Sequence, residues 1–502
     1  MIDTRYSKKN KFRVLLVYAN KMMENLIPVN ISVLSAVLKQ KGFEVKLFDT
    51  TYYRTDTECG DEVRVEHLQL RSFDLSKYGI CYKDSDILED FRGTVIGYKP
   101  DIIGLSVVDD TYKLGITLLS KIKNLGVPTI VGGVRAVLAP EEVISNDAVD
   151  MVCIGEGENA LVELCEKMHQ GKDYTDVPGI WFKKSPLIIR NPLRGLTDLN
   201  SLPYLDFSIY ERERFYRPMQ GKVYKMLPVE FSRGCPFNCT YCAAPTLKLK
   251  YKSAGMYYRK KNIERVIEEI KFYKECYDLQ YVYFTSETFL SLSNVEFATF
   301  ASLYHKIKIP FWFQTRPETI KEDRIKILEN IGCDRITIGI ESGNERIRRQ
   351  VLKRSISNKA IISAFEIMAR SSIPVSVNNI IGIPDETRED VFDTIELNRA
   401  IKANSITVCI FTPYRGSHLR QYCLEKGYIS EDDNSADIRR HSILKMPSMS
   451  PEEISGLVRT FPLYVKFPKK DFNLIRKAEQ LDAQGDRVFR ELSARYRKRY
   501  FS

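Results

Sequence analysis

Histidine is scarcer in this chain than any other common metal ligand. There are five, at 67, 169, 305, 418 and 441 of 502 residues. None sit at metal-ligand spacing, so a multi-histidine zinc or iron centre is not expected. No apolar run approaches the ~20 residues of a membrane helix, so no integral membrane segment is expected. The opening Met-Ile-Asp-Thr-Arg-Tyr-Ser-Lys-Lys-Asn has no apolar core. A secretory signal is therefore not expected, and the cytoplasm is the expected compartment. Internal repeats and low-complexity tracts are absent. With 44% hydrophobic and 28% charged residues, collagen-like, coiled-coil and wholly disordered chains are excluded. The length suggests about three domains.

What is present begins with charge and sulfur. Lys and Arg number 76 against 65 Asp and Glu, a net +11. A basic excess of this size can favour phosphate-bearing partners, but a solvated surface accounts for it as well. Eleven cysteines in a chain expected in the cytoplasm point to metal-binding, catalytic or buried thiols rather than disulfides. The basic-aromatic tail Arg495 to Phe501 could touch RNA or anionic lipid. A frayed, solvated helix end is the better reading, and a nucleic-acid partner is not expected.

The spacing of apolar residues predicts an α/β chain in four parts. Residues 1–185 alternate strands (12–18, 43–48, 102–107, 129–131, 151–154) with helices, which implies a parallel, doubly wound sheet. Such sheets bind ligands beyond the carboxyl ends of their strands. A polar, irregular stretch at 50–84 interrupts the alternation. Residues 186–225, with four prolines, read as a linker. Residues 226–425 carry six more strands, near 229–232, 281–285, 311–314, 335–340, 375–380 and 406–411. Six βα units suggest a curved or partial barrel. Residues 426–502 read as a helical segment, with Phe461, Tyr464 and Phe467 as core.

The strongest chemical signal is Cys235-Pro-Phe-Asn-Cys239-Thr-Tyr-Cys242. Three thiolates in one short loop suit an iron–sulfur cluster and leave one iron open. Zinc usually takes four ligands, and no fourth Cys or His lies nearby at matching spacing. This C-x-x-x-C-x-x-C pattern resembles the radical S-adenosylmethionine superfamily, and the resemblance extends over about 200 residues. It implies a partial (βα)6 barrel whose first strand feeds the loop. It also implies a [4Fe-4S] cluster on Cys235, Cys239 and Cys242, with S-adenosylmethionine chelated by the open iron and cleaved to a 5′-deoxyadenosyl radical. Gly339-Ile-Glu-Ser-Gly343 resembles the stretch that meets the cofactor's ribose and methionine, so Glu341 and Ser342 are carried over. Asn379 to Pro384 resembles the strand that packs on adenine, which brings in Ile381 and Gly382. Many relatives have two acidic residues after the second barrel strand; here the stretch offers Ser286 and Glu287. Glu287, Gln314 and Arg316 are expected at the barrel mouth. Arg354 reads as a surface arginine or as a partner for the cofactor carboxylate.

The first 185 residues resemble the cobalamin-binding, Rossmann-like domain that often precedes such barrels. The resemblance rests on the strand ending at Ser106, on Ile130-Val-Gly-Gly133, and on Gly155-Glu-Gly-Glu158. Gly132, Gly133, Gly155 and Glu156 would border the nucleotide tail. Free-standing cobalamin domains often carry Asp-x-His-x-x-Gly after the first strand; here that loop reads Ala19-Asn-Lys-Met-Met-Glu-Asn. Cobalamin without a histidine on cobalt is the expectation, with Asp109 and Tyr112 near the corrin's lower face.

The resemblance, to the class B methylase and anaerobic cyclase group, implies an enzyme that methylates an unactivated carbon through methylcobalamin. The alternative is an oxidative cyclase or rearrangement enzyme without methyl transfer. It further implies a small-molecule, lipid or tetrapyrrole substrate and an external electron donor such as flavodoxin or ferredoxin. A methylthiotransferase fits less well: Cys59, Cys81, Cys153 and Cys165 are scattered and the tail is helical. A non-catalytic sensor or carrier would need no open iron position.

Overall fold

The computed structural model describes residues 11–433 and 438–501. The opening decapeptide, read above for a secretory signal, lies outside them. Five parallel strands come first: β1 (Arg13–Tyr18), β2 (Glu44–Asp49), β3 (Ile102–Ser106), β4 (Thr129–Gly132) and β5 (Met151–Cys153). Val14 to Val17 are all fully buried, as expected of a parallel strand covered by helices on both faces. Those helices include α1 (Val29–Gln40), α3 (Ile87–Tyr98) and α4 (Asp109–Ile122), with the short α2 (Gly60–Glu66) off the main layers. Asp86 caps α3 by accepting from the amides of Leu88 and Glu89. The strand order is β2-β1-β3-β4-β5, followed by the antiparallel hairpin β6 (Ile180–Lys184) and β7 (Leu187–Arg190). The order reverses between β1 and β3, so the binding crevice lies beyond their carboxyl ends.

The second sheet runs β16-β15-β14-β13-β12-β9-β8. Its members are β8 (Tyr216–Met219), β9 (Lys222–Glu230), β12 (Tyr281–Thr285), β13 (Phe311–Thr315), β14 (Cys333–Glu341), β15 (Val375–Ile381) and β16 (Ser405–Ile410). A two-stranded piece, β10 (Ser232–Arg233) with β11 (Arg259–Lys260), stands beside it. All neighbours are parallel except β8 with β9. The six parallel strands match the expected half-barrel. Burial alternates along them: Phe311, Phe313, Val375, Val377, Ile406 and Val408 are buried against the outer helices. Trp312, Gln314, Ser376, Asn378, Thr407 and Cys409, on the other face, are half-exposed. The concave face is thus an open lumen, because six strands cannot close and fill a barrel as eight do.

Three expectations need correction. Residues 186–225 are not an irregular linker: β7 extends the first sheet to Arg190, and β8 adds an antiparallel edge to the second. Antiparallel hairpins carry no βα rhythm, so the spacing missed both. The stretch 50–84 is not merely irregular, since it contains α2, capped reciprocally by Cys59 and Glu62. The tail is not frayed: Tyr496 is buried, and the Tyr500 hydroxyl donates to the Lys466 carbonyl at 2.8 Å. Phe461, Tyr464 and Phe467 are core, as expected. Among the described residues no helix is long and apolar enough to cross a membrane.

Candidate cofactor chamber

The three cysteines lie between β10 and the helix Ala244–Lys250, at the carboxyl end of β9. Gly234 opens the loop at φ +84°, and a Cβ there would stand 2.6 Å from the Tyr257 carbonyl oxygen, so only glycine fits. Buried Arg316 stacks on Phe237 at 3.8 Å and donates from Nη1 to the Cys239 Sγ at 3.1 Å. The Ala244 amide donates to the Cys242 Sγ at 3.4 Å. Burial pushes the Cys235 thiol up and the Cys242 thiol up to about 11. Cluster assembly must therefore displace protons. Among the described residues no three His, Cys, Asp or Glu side chains converge on one metal-ion position.

Opposite the loop, β14 ends in Glu341, held at φ +65° where the register with β15 shifts. Arg354 is fully buried and not a surface residue. Its Nη1 donates to Glu341 Oε1 at 2.7 Å and to the Tyr241 hydroxyl at 3.2 Å, and its Nη2 to the Gly339 carbonyl at 2.7 Å. It ties the carboxylate to the residue just before Cys242. Its partners stand 13 and 113 residues away in the chain, too far for residue order to reveal the pairing. Ser342 is wholly buried and its hydroxyl lies against Thr394 of an outer helix, 3.4 Å away. Ile381 likewise belongs to the outer face of β15, where it is buried; its neighbour Ile380 is half-exposed on the lumen side. Gly382, at φ +74°, makes room for Ile454, which a Cβ would meet at 2.9 Å. Its amide donates to Glu386 Oε2 at 2.7 Å. The side chains of Ser342 and Ile381 thus serve packing. Alternation on β15 and the bulge in β14 decide this, and a motif alone does not show it.

Gln314 stands on the lumen face of β13, and Glu287 lies just past the carboxyl end of β12. Gln314 donates to the Tyr283 hydroxyl at 3.2 Å. Glu287 is exposed by surface, yet burial pushes its carboxyl pKa up. Both hold for a group that looks into a deep recess walled by protein.

Glu386, behind this wall, is fully buried, and burial pushes its pKa up to about 8. A carboxyl raised on folding binds its proton more tightly in the folded state. Stability therefore falls as pH rises from the ordinary carboxylate range through about 8. Glu386→Gln should flatten that fall, read as melting temperature at pH 6 and pH 9; an unchanged slope would refute the assignment.

The first sheet presents its carboxyl ends to the same space. Gly133 sits at φ +94°, and a Cβ there would stand 2.4 Å from the Val107 carbonyl oxygen. Gly133→Ala should lower both melting temperature and cobalamin uptake, measured by absorbance after gel filtration. Gly132 is half-buried, with Cys153 at 3.7 Å from where its Cβ would be. The Ser106 hydroxyl accepts from Asn30 at 2.7 Å. Asp109 and Tyr112 prove to be committed elsewhere. Asp109 accepts from Arg135 at 2.7 Å and from the Arg415 amide at 2.6 Å, and Tyr112 packs under the Arg135 guanidinium at 4.6 Å. In their place Lys21 and Asp110 form an ion pair at 2.8 Å across the β1 and β3 loops. Gly155 abuts Leu193. Glu156 is a clamp between the two halves, paired with Arg233 at 3.0 Å and with Arg259. Burial alone would raise its pKa; the two guanidinia overcome that and hold it low.

The donor set fits the three cofactors. Three thiols in one short, half-buried loop, one of them bonded by Arg316, suit a [4Fe-4S] cluster. Glu341 keeps one carboxylate oxygen that no donor among the described residues bonds, which suits the ribose of S-adenosylmethionine. At Gly132 the place of a Cβ is open but for Cys153 at 3.7 Å, which suits the close approach of a cobalamin tail.

Residues 229–397 match the family model of the radical SAM superfamily, and residues 15–165 that of the B12 binding domain. A protein of Pyrococcus horikoshii described as an uncharacterized methyltransferase is 26% identical over 385 residues, which is 75% of this chain and 81% of that one. The cytidylyl-2-hydroxyethylphosphonate methyltransferase of Streptomyces wedmorensis is 20% identical over 496 residues, 89% and 86% of the two chains. Among solved structures, the radical S-adenosylmethionine methyltransferase TsrM of Kitasatospora setae shares the fold at a TM-score of 0.63. That match has 16% identity and covers 97% of this chain and 99% of that one. Residues 229–397 are thus a radical SAM domain, and residues 15–165, ahead of the half-barrel, a B12 binding domain.

Proposed function

We propose that this chain is a cobalamin-dependent radical S-adenosylmethionine enzyme that methylates an unactivated carbon of a small molecule. The observation that carries the reading is the shared lumen. The carboxyl ends of both parallel sheets open onto it, pinned by Glu156 on Arg233 and Arg259 and by Asp109 on the Arg415 amide. When bound, the cluster with S-adenosylmethionine would supply a hydrogen-abstracting radical, and cobalamin a transferable methyl group. The chain's own residues hold and shield. Cys235, Cys239 and Cys242 hold the cluster, and Arg316 donates to a ligand sulfur. Glu341, oriented by Arg354, takes the ribose hydroxyls. The inter-sheet clamps fix the separation of the two cofactors and keep water out. An external one-electron donor such as flavodoxin or ferredoxin completes the cycle. Relatives named methyltransferases, matched over three quarters or more of this chain, support methyl transfer over ring formation.

The test uses anaerobically purified protein with reconstituted cluster, cobalamin, S-adenosylmethionine and a strong reductant. S-adenosylhomocysteine and 5′-deoxyadenosine should both form. If 5′-deoxyadenosine appears alone, cobalamin is no methyl carrier here and the methylase reading falls.

A further inference from the structure

A half-barrel of six parallel strands leaves its lumen open between β8 and β16. In this chain the gap is closed by the first domain. Leu26 packs against the lumen cluster of Met226, Tyr281 and Tyr283. Buried Arg214 donates to the carbonyls of Glu24 and Leu26 at 3.2 and 3.4 Å. Toward the other edge, Gln69 Oε1 accepts from the Val408 amide of β16 at 3.1 Å. Arg439 pairs with Glu24 at 2.7 Å, and Arg440 with Glu58 at 2.6 Å and with Glu66. The C-terminal helix backs this wall, Arg497 donating to the Val65 carbonyl at 3.4 Å.

The corner behind the wall has an aromatic side and a cation. Tyr283 and Trp312 stack at 4.4 Å, fixed by Gln314 on the tyrosine hydroxyl and by the indole N–H on the Thr337 hydroxyl at 2.7 Å. Arg217 reaches in from β8. Its hydrogen bond is to the Met226 sulfur at 3.7 Å, and among the described residues it makes no ion pair. The charged groups around it are committed to each other: Arg214 with Asp49 at 3.0 Å, Arg64 with Asp61 at 3.1 Å, and Arg439 with Glu24. Burial pushes the Arg217 pKa down. Asp61 and Glu24 act on this guanidinium from beyond ion-pair distance, and a buried cation with no direct anionic partner is costly unless a ligand supplies one.

We propose that this corner is the anion subsite of the substrate. Arg217 pairs with a carboxylate, phosphate or phosphonate group, and the Tyr283–Trp312 face covers the adjoining part of the molecule. The inference rests on the lumen being the reaction chamber. It assigns a polar, anionic small molecule and disfavours a hydrocarbon lipid. The half-exposed Asn378 and Thr407 on the lumen face agree with this.

Phenylphosphonate, which joins a ring to an anion, is the probe, with benzyl alcohol as its neutral counterpart. Calorimetric titration of the cluster- and cobalamin-loaded protein should show phenylphosphonate binding and benzyl alcohol binding much more weakly. Arg217→Gln should weaken phenylphosphonate about tenfold or more, as expected for losing a charged hydrogen bond, and Arg217→Lys should restore part of it. On the wild type, phenylphosphonate should slow phenylglyoxal modification of Arg217, read by peptide mass spectrometry, so the test does not depend on a variant that folds. No phenylphosphonate binding, equal binding by Arg217→Gln, or unprotected Arg217 would each overturn the proposal. No reductant is needed, so failure of methyl transfer and failure of the subsite are read separately.

Discussion

Cys239→Ala should abolish both 5′-deoxyadenosine and S-adenosylhomocysteine formation, down to the level of cluster-free protein. Cys239 is the most buried of the three loop thiols and the one that Arg316 contacts. Without it a cluster has two ligands from the loop. Arg316 keeps its stack on Phe237 and its pairing with Glu318 but loses the sulfur. The fold should persist, because the half-barrel core lies on the outer face of the strands, away from the loop. The check is iron and sulfide content beside a nucleoside assay, with far-ultraviolet dichroism for the fold. Cys153→Ala, in the buried β5, serves as the contrast and should keep its iron. A Cys239→Ala protein with full iron content would remove this residue from the cluster.

The second large effect is on Arg354. Removing one member of a buried ion pair costs about 3–5 kcal/mol, because the other charge is left uncompensated. Here the loss would strand Glu341, the Tyr241 hydroxyl and the Gly339 carbonyl together. Burial alone would lower the Arg354 pKa, but Tyr241 and Glu341 carry it well above the ordinary value, so the cation stays charged. Arg354→Met should therefore fall in stability by this amount in urea titrations and bind S-adenosylmethionine poorly. Adding Glu341→Gln should recover much of the stability, since no buried anion remains, and none of the cofactor binding. If the double variant regains S-adenosylmethionine affinity, the pair is structural and Glu341 does not hold the ribose.

Much of this was legible in residue order. Tyr281–Thr285 occupies the span that its spacing predicts, because local periodicity reports the face that an element buries. The cysteine loop was legible because its ligands lie within eight residues of each other. Ser342 and Ile381 were harder. A motif names a position, whereas the bulge and alternation at that position decide which side chain turns to the lumen. Asp109 and Glu156 read as cofactor residues because they stand at strand ends, where ligands bind. Their partners Arg135, Arg233 and Arg259 approach from distant sequence and use the carboxylates for holding the sheets together.

Residue order alone was enough for two parallel sheets, their succession along the chain and the thiol loop that follows the second sheet's first parallel strand. Each of these is written in contacts between near neighbours, where hydrophobic period and ligand spacing act directly. Folding in three dimensions is what makes the 58–69 stretch and the Leu26 loop wall the half-barrel, sets Arg354 to brace Glu341, and leaves Arg217 on the lumen face with no carboxylate at ion-pair distance among the described residues. Those facts depend on which charges meet after folding. A charge in sequence carries no record of its partner, because pairing is set by the free energy of burial across hundreds of residues.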